Sequence, residues 1–328
     1  MIQTYRLASG RLQRIDDVGP AGTGDIVWLD LCNPTREEEH AVEAILGLVL
    51  PTRQEMAEIE ESARLYAERG ALVMTAVVID GVAEGHPGRS EVTFLLSQNH
   101  FVTLRYSNPM PFRTIEARIG KQADEALTAP ALFVTLLESF IERIADVLEA
   151  VATDLNAISD TIFYDDDEVR ESGKARPAPD MQRLIRLLGR KNRMLSILRE
   201  SLLSFGRLVP FVREGGAEWM KNGVSVRLKA VDRDIKSLAT YEGQLEQQVA
   251  YLHESTLGLI NVEQNTIIKV FSVAAVLFLP PTLVGTVYGM NFEVMPELKW
   301  AFGYPFALVT MVLSAFVPYW WFKRRGWL

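Results

Sequence analysis

The pattern of apolar and polar positions changes character along the chain, and the changes divide it. In roughly the first 120 residues, short runs of strand character alternate with helix signals. Ile26-Val27-Trp28-Leu29 predicts a strand, and Asn33-Pro34-Thr35 then opens a helix with Glu38 three residues after Thr35, the spacing of a capping box. Thr52 and Glu55 repeat that box. Ala71 to Ile79 and Glu91 to Arg105 are rich in Val, Thr, Phe and Leu, and Ser97-Gln98-Asn99 interrupts the second run, which predicts strands and a hairpin. Residues 1–125 therefore read as an α+β domain.

From Ala131 the period becomes 3.6. Phe133, Leu137, Phe140, Ile144, Val147, Val151, Leu155, Ile158 and Ile162 share one face of a long helix that ends near Asp165-Asp166-Asp167-Glu168. After Pro177 and Pro179 a second helix is expected from Asp180 to about Phe205, with Arg183, Arg186, Arg190 and Arg193 paired to the acidic helix before it. These helices occupy residues 126–224. No proline lies between Pro210 and Pro280, so a third helix starting near Ser225 can run to Tyr288, roughly 95 Å at the standard rise. A helix that long requires a packing partner. Val231, Leu238, Leu245, Leu252 and Leu259 recur every seven residues and supply a seam.

A polar stripe runs beside that seam through Gln244, Gln247, Tyr251, Glu254, Gly258, Asn261 and Asn265. It continues at 3.5-residue spacing as Asn265, Ile268, Ser272, Ala275, Leu279, Thr282 and Thr286. This second part lies in an uncharged stretch. Val270 to Met290 holds 21 residues without a formal charge, and Ala301 to Phe322 holds 22. Each run covers about 30 Å as helix, the thickness of a bilayer's hydrocarbon core. Two spans are predicted, in segments 225–290 and 301–322, joined by a loop at 291–300 and followed by a basic tail at 323–328.

A stripe of small and hydroxyl-bearing residues in lipid implies close helix contact or the wall of a narrow channel. Two spans are too few to enclose a pore, so an oligomer is expected. Pro280 and Pro281 lie inside the first span, where the missing N–H groups free carbonyls and favour a bend, structural or part of a gate.

Charge orients the chain. Lys323, Arg324 and Arg325 follow the second span and Lys269 precedes the first, which places both termini in the cytoplasm and the protein in the inner membrane as a multi-pass component. Met1 to Asp16 lack an apolar core of signal-peptide length. The formal net charge is −8, and residues 267–328 carry +3, so the part before the spans carries −11. An acidic body attracts cations and argues against a nucleic-acid partner. A single cysteine, Cys32, excludes an internal disulfide. Gly19 to Gly24 lacks the spacing and lysine of a phosphate loop. No grouping of nucleophile, histidine and carboxylate suggests an enzyme, and no cofactor is expected.

The first span ends in Tyr288-Gly289-Met290-Asn291, followed by Phe292-Glu293-Val294-Met295-Pro296-Glu297-Leu298. A Gly-Met-Asn sequence after the penultimate span, an acidic loop of ten residues and a basic tail together resemble the CorA family of divalent-cation channels. Trp28-Leu29-Asp30-Leu31, Pro34-Thr35-Arg36-Glu37-Glu38 and Ile59-Glu60-Glu61-Ser62-Ala63-Arg64 also resemble that family's cytoplasmic domain, less specifically.

The resemblance implies a funnel-shaped homopentamer with the first span of each protomer lining the pore. It further implies Mg²⁺ as the transported ion and as a regulatory ion that holds the pore shut from the cytosol; the membrane path offers only oxygen donors, which leaves Co²⁺ and Ni²⁺ as leaky secondary substrates. Asp232, Asp234, Asp80 and Glu84 are the candidate regulatory ligands. Mg²⁺ keeps its water shell tightly, and oxygen acceptors recognise those waters. Asn291 carboxamides and Gly289 carbonyls would provide them, with Glu293 and Glu297 concentrating cations at the mouth. Two alternatives stay open: a zinc transporter of the related branch, with or without proton coupling, and a non-conducting sensor or scaffold. Against zinc, His40, His86, His100, His253 and Cys32 all precede the spans, and Met295-Pro296-Glu297-Leu298 departs from the zinc branch.

Overall fold

The structure is a computed structural model, described here for residues 2–8, 11–15, 26–58, 60–118, 128–163, 180–293 and 295–325, without the side chains of residues 7, 8, 11, 61, 118, 222, 297 and 298. Gly19 to Gly24, the acidic end of the first long helix and the Pro177–Pro179 break lie outside the described residues. The chain forms two units, Met1–His253 and Glu254–Leu328.

The first unit is built on a seven-stranded sheet of order β2-β1-β3-β7-β6-β5-β4. Its strands are β1 (Ile2–Ala8), β2 (Arg11–Ile15), β3 (Ile26–Cys32), β4 (Leu65–Glu68), β5 (Ala71–Asp80), β6 (Gly88–Leu96) and β7 (Phe101–Arg105). Neighbours are antiparallel except β3 and β7, which run parallel with Asp30 opposite Thr103. Both faces are covered, so β5 is buried from Ala71 to Ile79 and reads as a continuous apolar run rather than an alternating one. One face places Trp28, Met74, Phe94 and Phe101 in the core shared with the long helices, and the other places Leu29, Leu31, Val73, Leu95 and Val102 in a smaller cluster.

That smaller cluster is completed by Val42 of α1 (Arg36–Leu46) and Met56 of α2 (Arg53–Ala57). Both helices start with complete capping boxes, Thr35 with Glu38 and Thr52 with Glu55. A four-residue helix α3 (Glu61–Arg64) leads into β4, and α4 (Met110–Arg118) adds Phe112 and Ile115 to the main core. The β4–β5 turn puts Arg69 and Gly70 both at positive φ (48° and 82°), which matches the twist of the paired strands.

Three long helices follow: α5 (Ala129–Phe163), α6 (Met181–Gly215) and α7 (Asn222–Tyr288). The helix expected to stop near Phe205 continues ten residues further, through Pro210. Leu208, Val209 and Val212 around that proline are fully buried. Their packing outweighs the hydrogen bond that Pro210 cannot make. The expected pairing of Arg183, Arg186, Arg190 and Arg193 with the preceding helix does not occur among the described residues; Lys191 pairs with Asp154 instead.

In the first unit, α7 packs through Val231, Leu245 and Leu252, each under 5 % exposed. Arg199 of α6 donates from Nε to Glu242 Oε2 of α7 (3.1 Å) and also pairs with Glu246. Glu242 is buried and its Oε1 has no partner among the described residues. Burial pushes its carboxyl above the usual range, against the pull of Arg199.

The second unit holds the rest of α7, a 3₁₀ turn (Pro296–Lys299) and α8 (Gly303–Arg324). Both long helices of this unit are apolar and long enough to cross a membrane. Almost none of either apolar stretch is buried, with Phe271 71 % and Phe278 72 % exposed, which is the opposite of a soluble core helix.

Candidate functional site at the end of the first span

α7 continues without interruption through Pro280 and Pro281 to Tyr288. These prolines withdraw the N–H partners of the Val276 and Leu277 carbonyls. Gly289 then ends the helix. Its N–H donates to Gly285 O (3.0 Å) and Thr286 O (3.2 Å), and Met290 N–H donates to Val287 O (3.3 Å). A Cβ at Gly289 would sit 3.1 Å from Gly285 O, so the backbone closes here at a distance that only glycine meets without displacement.

Asn291, next but one after this turn, is exposed, and its side-chain amide makes no hydrogen bond among the described residues. Glu293 is exposed as well. The side chain of Glu297 lies outside the described residues, although its backbone belongs to the 3₁₀ turn.

The stripe on the first span occupies a definite face. Asn265, Ile268, Ser272, Ala275, Leu279, Thr282 and Thr286 are all exposed. Val273, Leu277, Pro280, Val284 and Tyr288, at the same spacing on another face, are half-buried. Gly285 lies beside that half-buried face, where an added Cβ would come 3.2 Å from Met311 Cε of α8. The second span therefore covers a different face, and one protomer leaves the stripe open.

The hydroxyls on the stripe have a fixed polarity. Thr286 Oγ1 donates to Thr282 O, and Thr282 Oγ1 to Phe278 O, both at 2.7 Å. A carbonyl can only accept, so each hydroxyl proton points back to the helix and its lone pairs remain for an incoming donor. Donors are what the waters around a hydrated cation present. The exposed face thus offers acceptors at Asn291, Thr286 and Thr282 and carries no fixed charge between Val270 and Phe292.

The four acidic candidates do not converge within one chain. Asp80 and Glu84 line one small recess with Arg113 and Arg143; Asp80 Oδ1 accepts from Gly81 N (2.8 Å), and Glu84 lies 3.8 Å from Arg113. Asp232 pairs with Lys236 (2.7 Å). Asp234 lines a separate cavity with Glu138 and Glu142. No group of three or more metal-binding side chains occurs among the described residues.

A family description, CorA-like Mg²⁺ transporter protein, matches residues 23–324. The chain belongs to the CorA family. It is 37 % identical to the magnesium transport protein CorA of Salmonella typhimurium and 36 % identical to that of Escherichia coli, each over 332 residues and the whole of both chains. The complete CorA magnesium transporter structure from Methanocaldococcus jannaschii superposes with a TM-score of 0.77 at 15 % identity, covering 100 % of this chain and 99 % of that one, and so shares its fold. CorA proteins are membrane transporters rather than enzymes, and the two apolar helices are the membrane part of this member.

The network around Asp30 is a part of this CorA fold that the periodicity alone did not disclose. Asp30, at 0 % exposure, accepts from Thr103 Oγ1 (2.6 Å) and from Arg105 Nε and Nη2 (3.1 and 2.8 Å). Its signal was a lone Asp inside the apolar run of β3.

Proposed function

We propose that this protein is a homopentameric channel that carries hydrated Mg²⁺ inward across the inner membrane, both termini in the cytoplasm. The observation that carries the reading is the open, uncharged acceptor stripe that leads to Asn291 on the face the second span leaves uncovered. Five copies of α7 with that face inward would cover the stripe and line a path from Asn291 to Asn265.

A Mg²⁺ ion with its waters would be drawn in by Glu293 and Glu297, then held at the ring of Asn291 amide oxygens and Gly289 carbonyls. A neutral amide binds the outer waters without trapping the dication, and conduction requires release. Thr286, Thr282, Leu279, Ala275, Ser272, Ile268 and Asn265 line the remaining path. A dication crossing a 100 mV inside-negative potential gains about 4.6 kcal/mol, so no nucleotide is consumed. Co²⁺ and Ni²⁺ carry the same charge and water-mediated chemistry and would pass as secondary ions. Asp80, Glu84, Asp232 and Asp234, dispersed within one chain, would bind cytosolic Mg²⁺ only where protomers meet and so hold the closed state.

The test is ion flux into liposomes that contain purified protein, wild type against Asn291→Ala, for Mg²⁺ and Zn²⁺. Mg²⁺ flux in the wild type, reduced at least tenfold in Asn291→Ala, is expected. Equal and negligible flux in both would sink the channel, and proton movement accompanying Zn²⁺ would favour a zinc transporter.

A further inference from the structure

Between Asp180 and Glu200 the sequence of α6 contains no Asp or Glu, yet it carries Arg183, Arg186, Arg190, Lys191, Arg193 and Arg199. An i,i+4 acidic partner on the same helix is therefore absent for the central arginines. Among the described residues Arg190 and Arg193 make no ion pair, while Lys191 is tethered to Asp154 of α5. This concentration of positive charge sits in a part of the chain whose net charge is strongly negative.

Arg190, Lys191 and Arg193 line a cavity of about 570 Å³ between α6 and the β5–β6 connection, joined there by His86. Its apolar wall is Val82, Pro87, Leu187 and Met194, and among the described residues no carboxylate lines it. The connection is held in shape: His86 N–H donates to Gly81 O (2.9 Å), and Gly81 and Gly85 sit at positive φ (69° and 77°). A Cβ at Gly81 would come within 2.4 Å of His86 O, so only glycine permits this closure.

We propose that this cavity is a binding site for a nucleoside polyphosphate. Guanidinium groups present paired N–H donors that match phosphate oxygens, and two that make no ion pair among the described residues, beside a tethered ammonium, suit a chain of phosphates. The apolar wall suits the base and ribose. The volume lies in the range of small-molecule sites, about 300–1,000 Å³, and far exceeds what one inorganic phosphate fills.

Calorimetric titration of the full-length protein in detergent with ATP, Mg²⁺ withheld, tests this. One saturable site per chain is expected. Arg190→Ala with Arg193→Ala should weaken it at least tenfold at an unchanged melting temperature, because two charge-assisted forks are lost. Arg183→Ala with Arg186→Ala removes the same charge from the same helix at two positions outside the cavity lining and should change affinity less than threefold. Should the first pair not fold, Arg190→Lys with Arg193→Lys keeps the charge, loses the forks, and should still weaken binding.

Absence of saturable binding below about 1 mM, a dissociation constant worth only about 4 kcal/mol, would overturn the proposal. Equal losses in the two alanine pairs would overturn it too, since the effect would then be general charge. Tripolyphosphate binding as tightly as ATP would refute the role given to the apolar wall, and displacement of ATP by a short-chain anionic phospholipid at lower concentration than by free triphosphate would reassign the cavity to a lipid headgroup.

Discussion

Replacing Asp30 with alanine should destabilise the first unit by about 3–5 kcal/mol, the range for breaking a buried ion pair from one side. The structure shows why the cost falls at that end. Arg105 is 2 % exposed, and its Nη1 donates to Ser107 O and Asn108 Oδ1 (2.8 Å each), so the guanidinium is held in place when its counter-ion is removed. Its face lies 4.2 Å from the Phe112 ring, and the nearest other carboxylate oxygen among the described residues, on Glu116, is 3.7 Å away. The Thr103 hydroxyl, which donates to Asp30 and accepts from Trp28 Nε1 (3.1 Å), loses its acceptor as well. These groups join β3 to β7, the one parallel pair in the sheet.

For a unit of this size each kcal/mol shifts the melting temperature by about 2–4 °C, so Asp30→Ala should melt roughly 6–20 °C lower. The second arm is Asp30→Ala with Arg105→Met, which removes the stranded charge. Because the partners are in contact, the double variant should lose clearly less than the sum of the singles. Full-length protein in detergent, followed by circular dichroism melting with amide exchange read on β3 and β7, gives both numbers. A melting temperature within 2 °C of wild type for Asp30→Ala, or strict additivity in the double variant, would refute the account.

Gly289→Ala should lower Mg²⁺ flux by several-fold while leaving the protein folded, because its Cβ presses on the Gly285 carbonyl and shifts the backbone that carries Asn291; liposome flux beside a melting curve separates the two effects. Glu242 is an acid whose folded-state pKa lies above its unfolded value, so its charged form costs stability at neutral pH and the cost is relieved as pH falls into the window between the two. Glu242→Gln, compared with wild type by melting from pH 7 to pH 4, should show a stability difference that shifts in the wild type's favour as the pH drops; a pH-independent difference would show that the carboxyl is not titrating there.

The parts of this fold visible in the sequence are those set by local rules. Thr35 with Glu38 and Thr52 with Glu55 are three-residue arrangements whose hydrogen bonds form whatever lies around them, and the apolar face of α5 follows from its period alone. What was hidden depends on distant neighbours. β4 leads into a turn, Arg69-Gly70, that lacks the Asn-Gly or Asp-Gly signal, and it pairs only because β5 lies beside it. Pro210 stays helical because the core holds it. At the site, the linear order of Tyr288, Gly289, Met290 and Asn291 was readable. Two features were not: the face of α7 taken by α8, and the direction of the Thr282 and Thr286 hydroxyls, both of which require coordinates.

The single helix α7 also shows where one chain stops being sufficient. Its seam is buried at Val231, Leu245 and Leu252, but the next member, Leu259, is 36 % exposed, and Leu257 and Val262 are 43 % and 63 % exposed. Lipid does not explain this exposure, because Glu254, Glu263 and Lys269 punctuate the same stretch, and charges at that spacing do not lie in hydrocarbon. Exposed aliphatic side chains among charges call for a protein partner. The same conclusion follows below Val270, where Thr282 and Thr286 lie open on a span whose other face α8 already occupies. Two stretches in different surroundings thus each present a face that one protomer leaves uncovered. Other copies of α7, packed in parallel, would supply both covers at once, which is why the oligomer and the conduction path stand or fall together.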